Sequence, residues 1–175
     1  MSLVLPDAAK GIAAGTYQAG TYQNSTFRYF GNLKSVEDAN ITSVGNYAFR
    51  NCDSLTTVSL PEATDIGEYA FYDCDRLTTV SLPKATSIGE LVFAGCTALT
   101  TASLPEATDI GEYAFYGCAA LTTVSLPEVA TIDDGTFENC AALTTVSLPK
   151  AATIGYSAFA GCAALTTVSL PATPP

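Results

Sequence analysis

Six cysteines, Cys52, Cys74, Cys96, Cys118, Cys140 and Cys162, recur every 22 residues and are all the cysteines in the chain. So many thiols in a short sequence raise the possibilities of disulfides and of a metal site. If the copies that carry them stack, the side chains of one column point the same way at a spacing of about 4.8 Å. A disulfide needs Cβ atoms about 3.8 Å apart and turned toward each other. Zinc lacks a ligand set, because there is no CxxC pair and no histidine. The expectation is six free, buried thiols serving as small core residues.

Other reactive groups are equally repetitive. Without histidine, with four scattered lysines and with serines that recur as a column from Ser59 to Ser169, nothing brings a base and a nucleophile together, so no enzyme is expected. The carboxylates Glu68, Glu90, Glu112 and Asp134 form an acidic column that would chelate Ca²⁺ only if they converged; as exposed glutamates they splay into solvent. The column Glu62, Lys84, Glu106, Glu128 and Lys150 mixes signs, and Glu62 with Lys84 reads as a surface pair of little net worth. No metal or other cofactor is implied.

Two features are suited to binding. Hydroxyl columns running from Thr57 to Thr167 and from Ser59 to Ser169 are nearly unvaried; threonine suits strands, and hydroxyls of one column can bond across coils. The same grid would match a periodic ligand such as a polysaccharide or ice. Variation between copies is instead concentrated at Tyr47, Tyr69, Leu91, Tyr113, Gly135 and Ser157, and at Arg50, Tyr72, Ala94, Tyr116, Glu138 and Ala160. Tyrosine and arginine are frequent interface anchors, although tyrosines lying half-buried across neighbouring coils give the same pattern. The candidate ligand-binding residues are therefore Tyr69, Tyr72, Tyr113 and Tyr116 on one side of a coil and Thr79, Ser81, Thr123 and Ser125 on another.

The elements that position these columns follow from the repeat. Phe49 to Phe159, Leu55 to Leu165, Leu60 to Leu170 and Pro61 to Pro171 share the cysteine register, giving six copies, with a degraded copy upstream in which Phe27, Leu33 and Val36 fall in register and Phe30 holds the cysteine column. In each copy a stretch such as Thr123-Val124-Ser125-Leu126 alternates polar and apolar residues, the mark of a half-buried strand, and Pro127 ends it. Ala114, Phe115 and Cys118 share one face of a helical or 3₁₀ turn. The glycines at 45, 67, 89, 111 and 155, with Asp133 as the exception, read as a left-handed turn. A unit of this size cannot bury its apolar face alone, so the copies stack into a solenoid with parallel strands on one side and short helical or 3₁₀ turns on the other. The domain reading is a cap or partial repeat over 1–21, a degenerate first repeat over 22–43, six repeats over 44–171 and a tail over 172–175. Leu5 to Ile12 reads as a remnant half-repeat or a capping helix, and Gly15 to Thr26 as loop or irregular cap. An uncapped C-terminus offers an edge for end-to-end self-association.

The string IGxxAFxxCxxLTTVSLP, present at Ile66 to Pro83, Ile110 to Pro127 and Ile154 to Pro171, resembles the BspA-like leucine-rich repeat of bacterial surface proteins. The resemblance covers roughly Val44 to Pro171. It implies a leucine-rich-repeat solenoid with its main sheet on the concave side, an extracellular or cell-surface location, and a role in adhesion or protein recognition. The unit of 22 residues departs from the commoner 23, and the copies are unusually alike.

Composition narrows the partners. Seventeen acidic residues against seven basic give a net charge of −10, which disfavours nucleic acid and anionic membranes. No apolar run approaches the roughly 18 residues of a membrane span, so membrane insertion is not expected, and residues 1–14 carry no recognisable signal peptide. Asn24-Ser-Thr26 and Asn40-Ile-Thr42 fit the glycosylation pattern, and LPATP near the end resembles a damaged sortase signal that arises from the repeat's own LPEAT. The function expected is a non-enzymatic recognition or adhesion module for a protein or glycan ligand; the alternatives are a structural spacer without a ligand, or lattice binding by the hydroxyl columns.

Overall fold

The computed structural model describes residues 32–172, together with the backbone of Ser2–Leu3, Gly11–Ile12, Thr16–Gln18 and Thr21–Asn24. The chain is a parallel-strand solenoid of about six turns with repeats of about 22 residues. One ribbon of strands runs Ser2–Leu3, Ser35–Glu37, Thr57–Ser59, Thr79–Ser81 and Thr101–Ser103, and resumes as Thr123–Ser125, Thr145–Ser147 and Thr167–Ser169. All of its pairings are parallel and in register, as in Thr57 with Thr79 and Val58 with Val80. A second, narrower ribbon passes through Gly11–Ile12, Ser43–Val44, Asp65–Ile66, Ser87–Ile88 and Asp109–Ile110, and resumes as Thr131–Ile132 and Thr153–Ile154. Two-residue strands leave too short an alternation to be read from sequence, so this ribbon was not expected. Its pairing of Ile12 with Val44 places Gly11–Ile12 in the isoleucine column. Phe27, Phe30 and the tail from Thr173 lie outside the described residues.

The core is one continuous set of columns. Phe49, Phe71, Phe93, Phe115 and Phe137 are fully buried, and neighbouring rings stack with centroids 5.2, 5.6, 5.3 and 5.4 Å apart, ending on Phe159 at 5.5 Å. The cysteine column has a second reason to be cysteine. The thiol of Cys74 donates to the carbonyl of Phe49 one coil back (3.2 Å), and Cys96, Cys118 and Cys140 do the same to Phe71, Phe93 and Phe115. Each of those carbonyls also accepts the amide of its own coil's cysteine, as Phe49 does from Cys52 at 3.2 Å. A small apolar side chain with a weak donor thus satisfies a buried oxygen that alanine would leave half-bonded.

The expected helical or 3₁₀ turn is a set of single three-residue turns and not a continuous helix of either kind. Within one coil Ala70, Tyr72 and Cys74 donate to Gly67, Tyr69 and Phe71, three residues back, while the intervening Tyr69, Phe71 and Asp73 donate to Glu90, Val92 and Ala94 of the next coil. Alternate amides therefore face alternate partners, which a helix does not allow. Left-handed residues make this possible, and they do not lie in the glycine column. Tyr47, Tyr69, Leu91 and Tyr113 have φ of 60°, 55°, 53° and 55°, and Asn51, Asp73 and Asn139 have 58°, 53° and 62°. The glycines at 67, 89, 111 and 155 are required by close approach instead: a Cβ on Gly89 would lie 2.7 Å from the Glu68 nitrogen and 2.9 Å from the Gly67 carbonyl carbon. At the N-terminal side, the segment expected as loop or irregular cap contains an antiparallel pair of Thr16–Gln18 with Thr21–Asn24. The threonine and tyrosine of its two Thr-Tyr-Gln copies suit strands.

Both ribbons part at the same junction. Thr101–Ser103 does not pair with Thr123–Ser125, nor Asp109–Ile110 with Thr131–Ile132. Other junctions make bonds such as Thr100 N–H to Thr78 O (3.0 Å), Leu82 N–H to Ser103 O (3.1 Å) and Gly111 N–H to Ile88 O (2.8 Å); their counterparts between Thr122 and Thr100, Leu104 and Ser125, and Asp133 and Ile110 are not made. Three departures from the columns coincide here. Ala102 replaces valine, Val129 replaces alanine, and Asp133 replaces the glycine whose Cβ would strike the preceding coil. The smaller residue underfills the inside of the sheet while the two larger ones push the coils apart. The turn side stays closed, through Tyr113 N–H to Asp134 O (3.0 Å) and Phe115 N–H to Thr136 O (2.9 Å). In the last coil Ile154 and Leu170 are 43% and 50% exposed, whereas their equivalents inside the array are buried.

Two predictions follow from this packing. Gly89→Ala should destabilise the protein by about 1–3 kcal/mol, whereas Asp133→Ala, where the coils are already apart, should change stability by less than about 0.5 kcal/mol; chemical denaturation of the two variants measures the difference. All six cysteines are free, five of them buried and Cys162 partly exposed. Burial pushes the thiols of Cys52 and Cys140 up to about 12. A thiol reagent should therefore find six thiols in unfolded, unreduced protein, and Cys162 should be the first to react in the native state.

Candidate functional site

Several rows of side chains reach the surface on each coil, and they differ in how far the fold has committed them. The threonines at 56, 78, 100, 144 and 166 donate their hydroxyls to the backbone of the preceding coil, as in Thr78 to Thr56 O at 3.0 Å. Thr64, Thr86 and Thr108 do likewise. Cross-coil hydroxyl bonding was expected in the Thr57 and Ser59 columns; it lies in these neighbouring columns instead, because their side chains fall beside the carbonyls of the coil below. Thr79, Thr123 and Ser125 are exposed and Ser81 is half-buried, and none of their hydroxyls is bonded within the protein. Thr79 and Ser81 share one strand and Thr123 and Ser125 another, with Thr101–Ser103 between them. The parted junction therefore interrupts the hydroxyl grid. A cleft of about 240 Å³ opens there, lined by Thr101, Ala102, Ser103, Leu104, Pro105, Thr123, Ser125 and Pro127.

On the turn side the tyrosines gather into two clusters. Tyr47 stacks on Tyr69 at 4.9 Å, and Tyr69 meets Tyr72 at 5.5 Å with a tilt of 46°. The Arg50 guanidinium lies 5.9, 5.6 and 4.6 Å from the Tyr47, Tyr69 and Tyr72 ring centroids. Two coils further on, Tyr113 and Tyr116 meet edge to face at 6.0 Å and 68°. Leu91 and Ala94 separate the two clusters, so the four tyrosines do not form one surface. Arg50 was noticed in sequence as a variable position but not as part of a site; the intervals of 22 residues from Arg50 to Tyr72 and from Tyr47 to Tyr69 are the signal that joins them.

The tyrosine positions carry strain. A left-handed φ costs an ordinary side chain roughly 1–2 kcal/mol, and glycine escapes it. Gly135 holds the same column with φ 60°, and the Tyr113 ring lies directly over it. Stability alone would place glycine or asparagine throughout the column, so Tyr47, Tyr69 and Tyr113 stand where the backbone is least suited to them.

Carboxylates border these rings. The acid groups of Asp73, Glu90 and Asp133 are each raised, first by burial and then by like-charged neighbours: Asp75 for Asp73, Glu68 and Glu112 for Glu90, and Asp109 and Asp134 for Asp133. Burial, with Glu90 next, also raises Tyr69. Among the described residues no three His, Cys, Asp or Glu side chains gather as a metal-binding group. Lys84 pairs with Glu62 at 2.7 Å and Lys150 with Glu128 at 2.5 Å, both on open surface where such pairs contribute little.

Stacked coils of this length, with parallel ribbons and a phenylalanine spine, are the architecture of the leucine-rich-repeat solenoids. A family model for the BspA-type leucine-rich repeat region matches in six copies, over residues 20–128 and 64–174, and the chain belongs to that family. Its members are generally protein-interaction or adhesion modules, and the fold is generally non-enzymatic. Among solved structures, a leucine-rich repeat protein of T. pallidum is 28% identical with a TM-score of 0.81, over 94% of this chain and 78% of that one. A leucine-rich repeat protein of Bacteroides ovatus shares the fold at 24% identity and TM-score 0.67, over 94% of this chain and 53% of its own. A leucine rich cell surface protein of Faecalibacterium prausnitzii aligns at 23% and 0.50, over 93% and 48%. No curated protein matches the chain.

The raised carboxyls make stability depend on pH with a definite sign. An acid that binds its proton more tightly when folded stabilises the native state as the pH falls. The melting temperature should rise as the pH is lowered from neutrality through the raised native values. The gain from Asp73, Glu90 and Asp133 should be complete below the ordinary values of 3.8 and 4.5. Thermal melts followed by circular dichroism between pH 7 and 4 test this; a melting temperature that falls steadily over the range contradicts it.

Proposed function

We propose that this chain is a recognition or adhesion module, displayed at the cell surface, that engages a protein or glycan ligand mainly through its tyrosine-bearing turn side. The observation that carries the reading is the retention of Tyr47, Tyr69 and Tyr113 at left-handed backbone positions. Strained residues of this kind concentrate at sites of function, and tyrosine supplies rigid contact area at low entropic cost. The surface location rests on the family, whose members are often surface-associated, and on the F. prausnitzii protein called a cell surface protein.

The sheet side supports a second reading. Thr79, Ser81, Thr123 and Ser125 hold hydroxyls the fold does not use, and the cleft beside Ala102 would receive part of a glycan. The interruption of the grid at this junction counts against an extended crystalline lattice such as ice, which needs unbroken spacing.

A partner is first identified on protein and glycan arrays, and then two sets of variants are compared. Changing Tyr69, Tyr72, Tyr113 and Tyr116 to serine should weaken binding by about tenfold or more with the melting curve largely intact, since Ser157 already holds the tyrosine column at φ 54°. Changing Thr79, Ser81, Thr123 and Ser125 to lysine should matter only for a ligand on the sheet. Indifference to both sets, with the fold intact and a partner in hand, would overturn the assignment and favour the N-terminal cap or the variable acidic columns; no partner on any array would favour the spacer.

A further inference from the structure

Arg50 shows how this surface holds a cation. Its guanidinium lies 4.6 Å from the centroid of Tyr72 and within 6 Å of Tyr47 and Tyr69, where the negative faces of the rings attract it. The coil two steps further repeats the ring pair but not the cation. Tyr113 and Tyr116 sit at 6.0 Å against 5.5 Å for Tyr69 and Tyr72. The position that corresponds to Arg50 one coil earlier is Ala94, which is buried. No arginine or lysine of the described residues lies over either ring, and Tyr116 is 38% exposed, the most of any tyrosine in the array before the last coil. The surroundings are negative. Glu112 precedes Tyr113 in the chain, Glu138 follows Tyr116 in its column, and the backbones of these coils are tied by Gly117 N–H to Glu138 O at 2.8 Å. The acid group of Glu90 is raised by burial and then by the charges of Glu68 and Glu112, so an arriving cation would relieve a repulsion that the stacking of like residues imposes.

We propose that Tyr113 and Tyr116, with Glu112 next to the one in the chain and Glu138 next to the other in its column, form a receptor site for an arginine side chain on a partner protein, bound as Arg50 is bound within the chain. This rests on the recognition reading and adds to it the chemistry of the partner. A guanidinium fits better than an ammonium because its plane lies flat on an aromatic face while its edge still donates to carboxylates. The net charge of −10 draws such a segment to the surface.

The test uses a capped peptide of glycine and serine carrying two arginines, beside versions with lysine and with citrulline in their place. The peptides are titrated into the full chain while the tyrosine ring resonances are followed by NMR. The arginine peptide should shift the Tyr113 and Tyr116 rings, the lysine peptide should bind more weakly, and the citrulline peptide should not bind. Tyr116→Leu and Tyr113→Leu should each lower the affinity about two- to fivefold. Arg50→Ala should leave this site intact and add binding at Tyr69 and Tyr72. Ala94→Arg should occupy the site from within and compete with the peptide; since Ala94 is buried, the two leucine variants decide the matter if that protein does not fold. Equal affinity for the arginine and citrulline peptides overturns the proposal. So does arginine binding that is lost in Glu112→Gln and Glu138→Gln but unchanged in both leucine variants, because that would be attraction to acid alone. The recognition reading fails separately: an array partner that needs the tyrosines but contains no essential arginine removes this proposal and leaves the other standing.

Discussion

Neighbouring coils lie about 4.8 Å apart across the strands, in the direction of their hydrogen bonds, and every residue must be compatible with a near-identical residue at that distance on either side. Flat apolar rings meet the condition by stacking, which is why the phenylalanine column runs parallel from Phe49 to Phe159. A thiol meets it by bonding to the carbonyl below, a use that leaves no geometry for disulfides. Glycine meets it at 67, 89 and 111 by removing an atom that would strike the preceding backbone. Identical charges meet it badly: burial raises Glu90, and the like charges of Glu68 and Glu112 in its row raise it further, whereas opposite signs in the Glu62 and Lys84 row give a pair at 2.7 Å.

The alternation of backbone bonds on the turn side is the less obvious outcome of the same constraint. A helix would turn all its amides inward along its own axis and leave the coils joined only by side chains. By sending alternate amides to the next coil, as Tyr69, Phe71 and Asp73 do, the chain keeps a ladder on this side as well as through the strands. The left-handed residues that allow it concentrate strain in the columns of Tyr69 and Asp73. That ladder also explains why the junction at Ala102, Val129 and Asp133 opens the strands without parting the array: Phe115 and Phe137 remain stacked at 5.4 Å and their turn remains bonded.

Much of this was legible in the sequence because a column repeated six times averages out the ambiguity of any single copy. The core residues, the strand before each proline and the free thiols follow from spacing alone. The left-handed positions were assigned to the wrong column, since glycine serves two physical purposes and only coordinates separate conformational freedom from close approach; the Asn51, Asp73, Gly95 and Asn139 column held the better signal. The second ribbon was missed because two-residue strands such as Asp65–Ile66 have no alternation to detect. Sequence does not separate a helical or 3₁₀ turn from the observed one, because Ala114, Phe115 and Cys118 share an inward face in both geometries. Of the candidate site, the tyrosine pairs were readable, while the grouping of Arg50 with three rings needed the coils to be placed side by side.

What remains variable in so uniform a stack is therefore informative in proportion to how little the stack tolerates. Positions facing inward accept almost nothing: Thr136, the one buried polar residue among those described, survives by returning its hydroxyl to Asp133 O at 2.8 Å. Strand-face hydroxyls barely vary, which fits a surface whose form follows from strand preference and packing. The turn-side columns alternate between arginine, tyrosine, alanine and glutamate at one position and between tyrosine, leucine, glycine and serine at the other. Other exposed columns vary too, as Glu62 and Lys84 do, but in these two large aromatic side chains recur across the array, so they carry much of what distinguishes it from a plain stack of its own consensus.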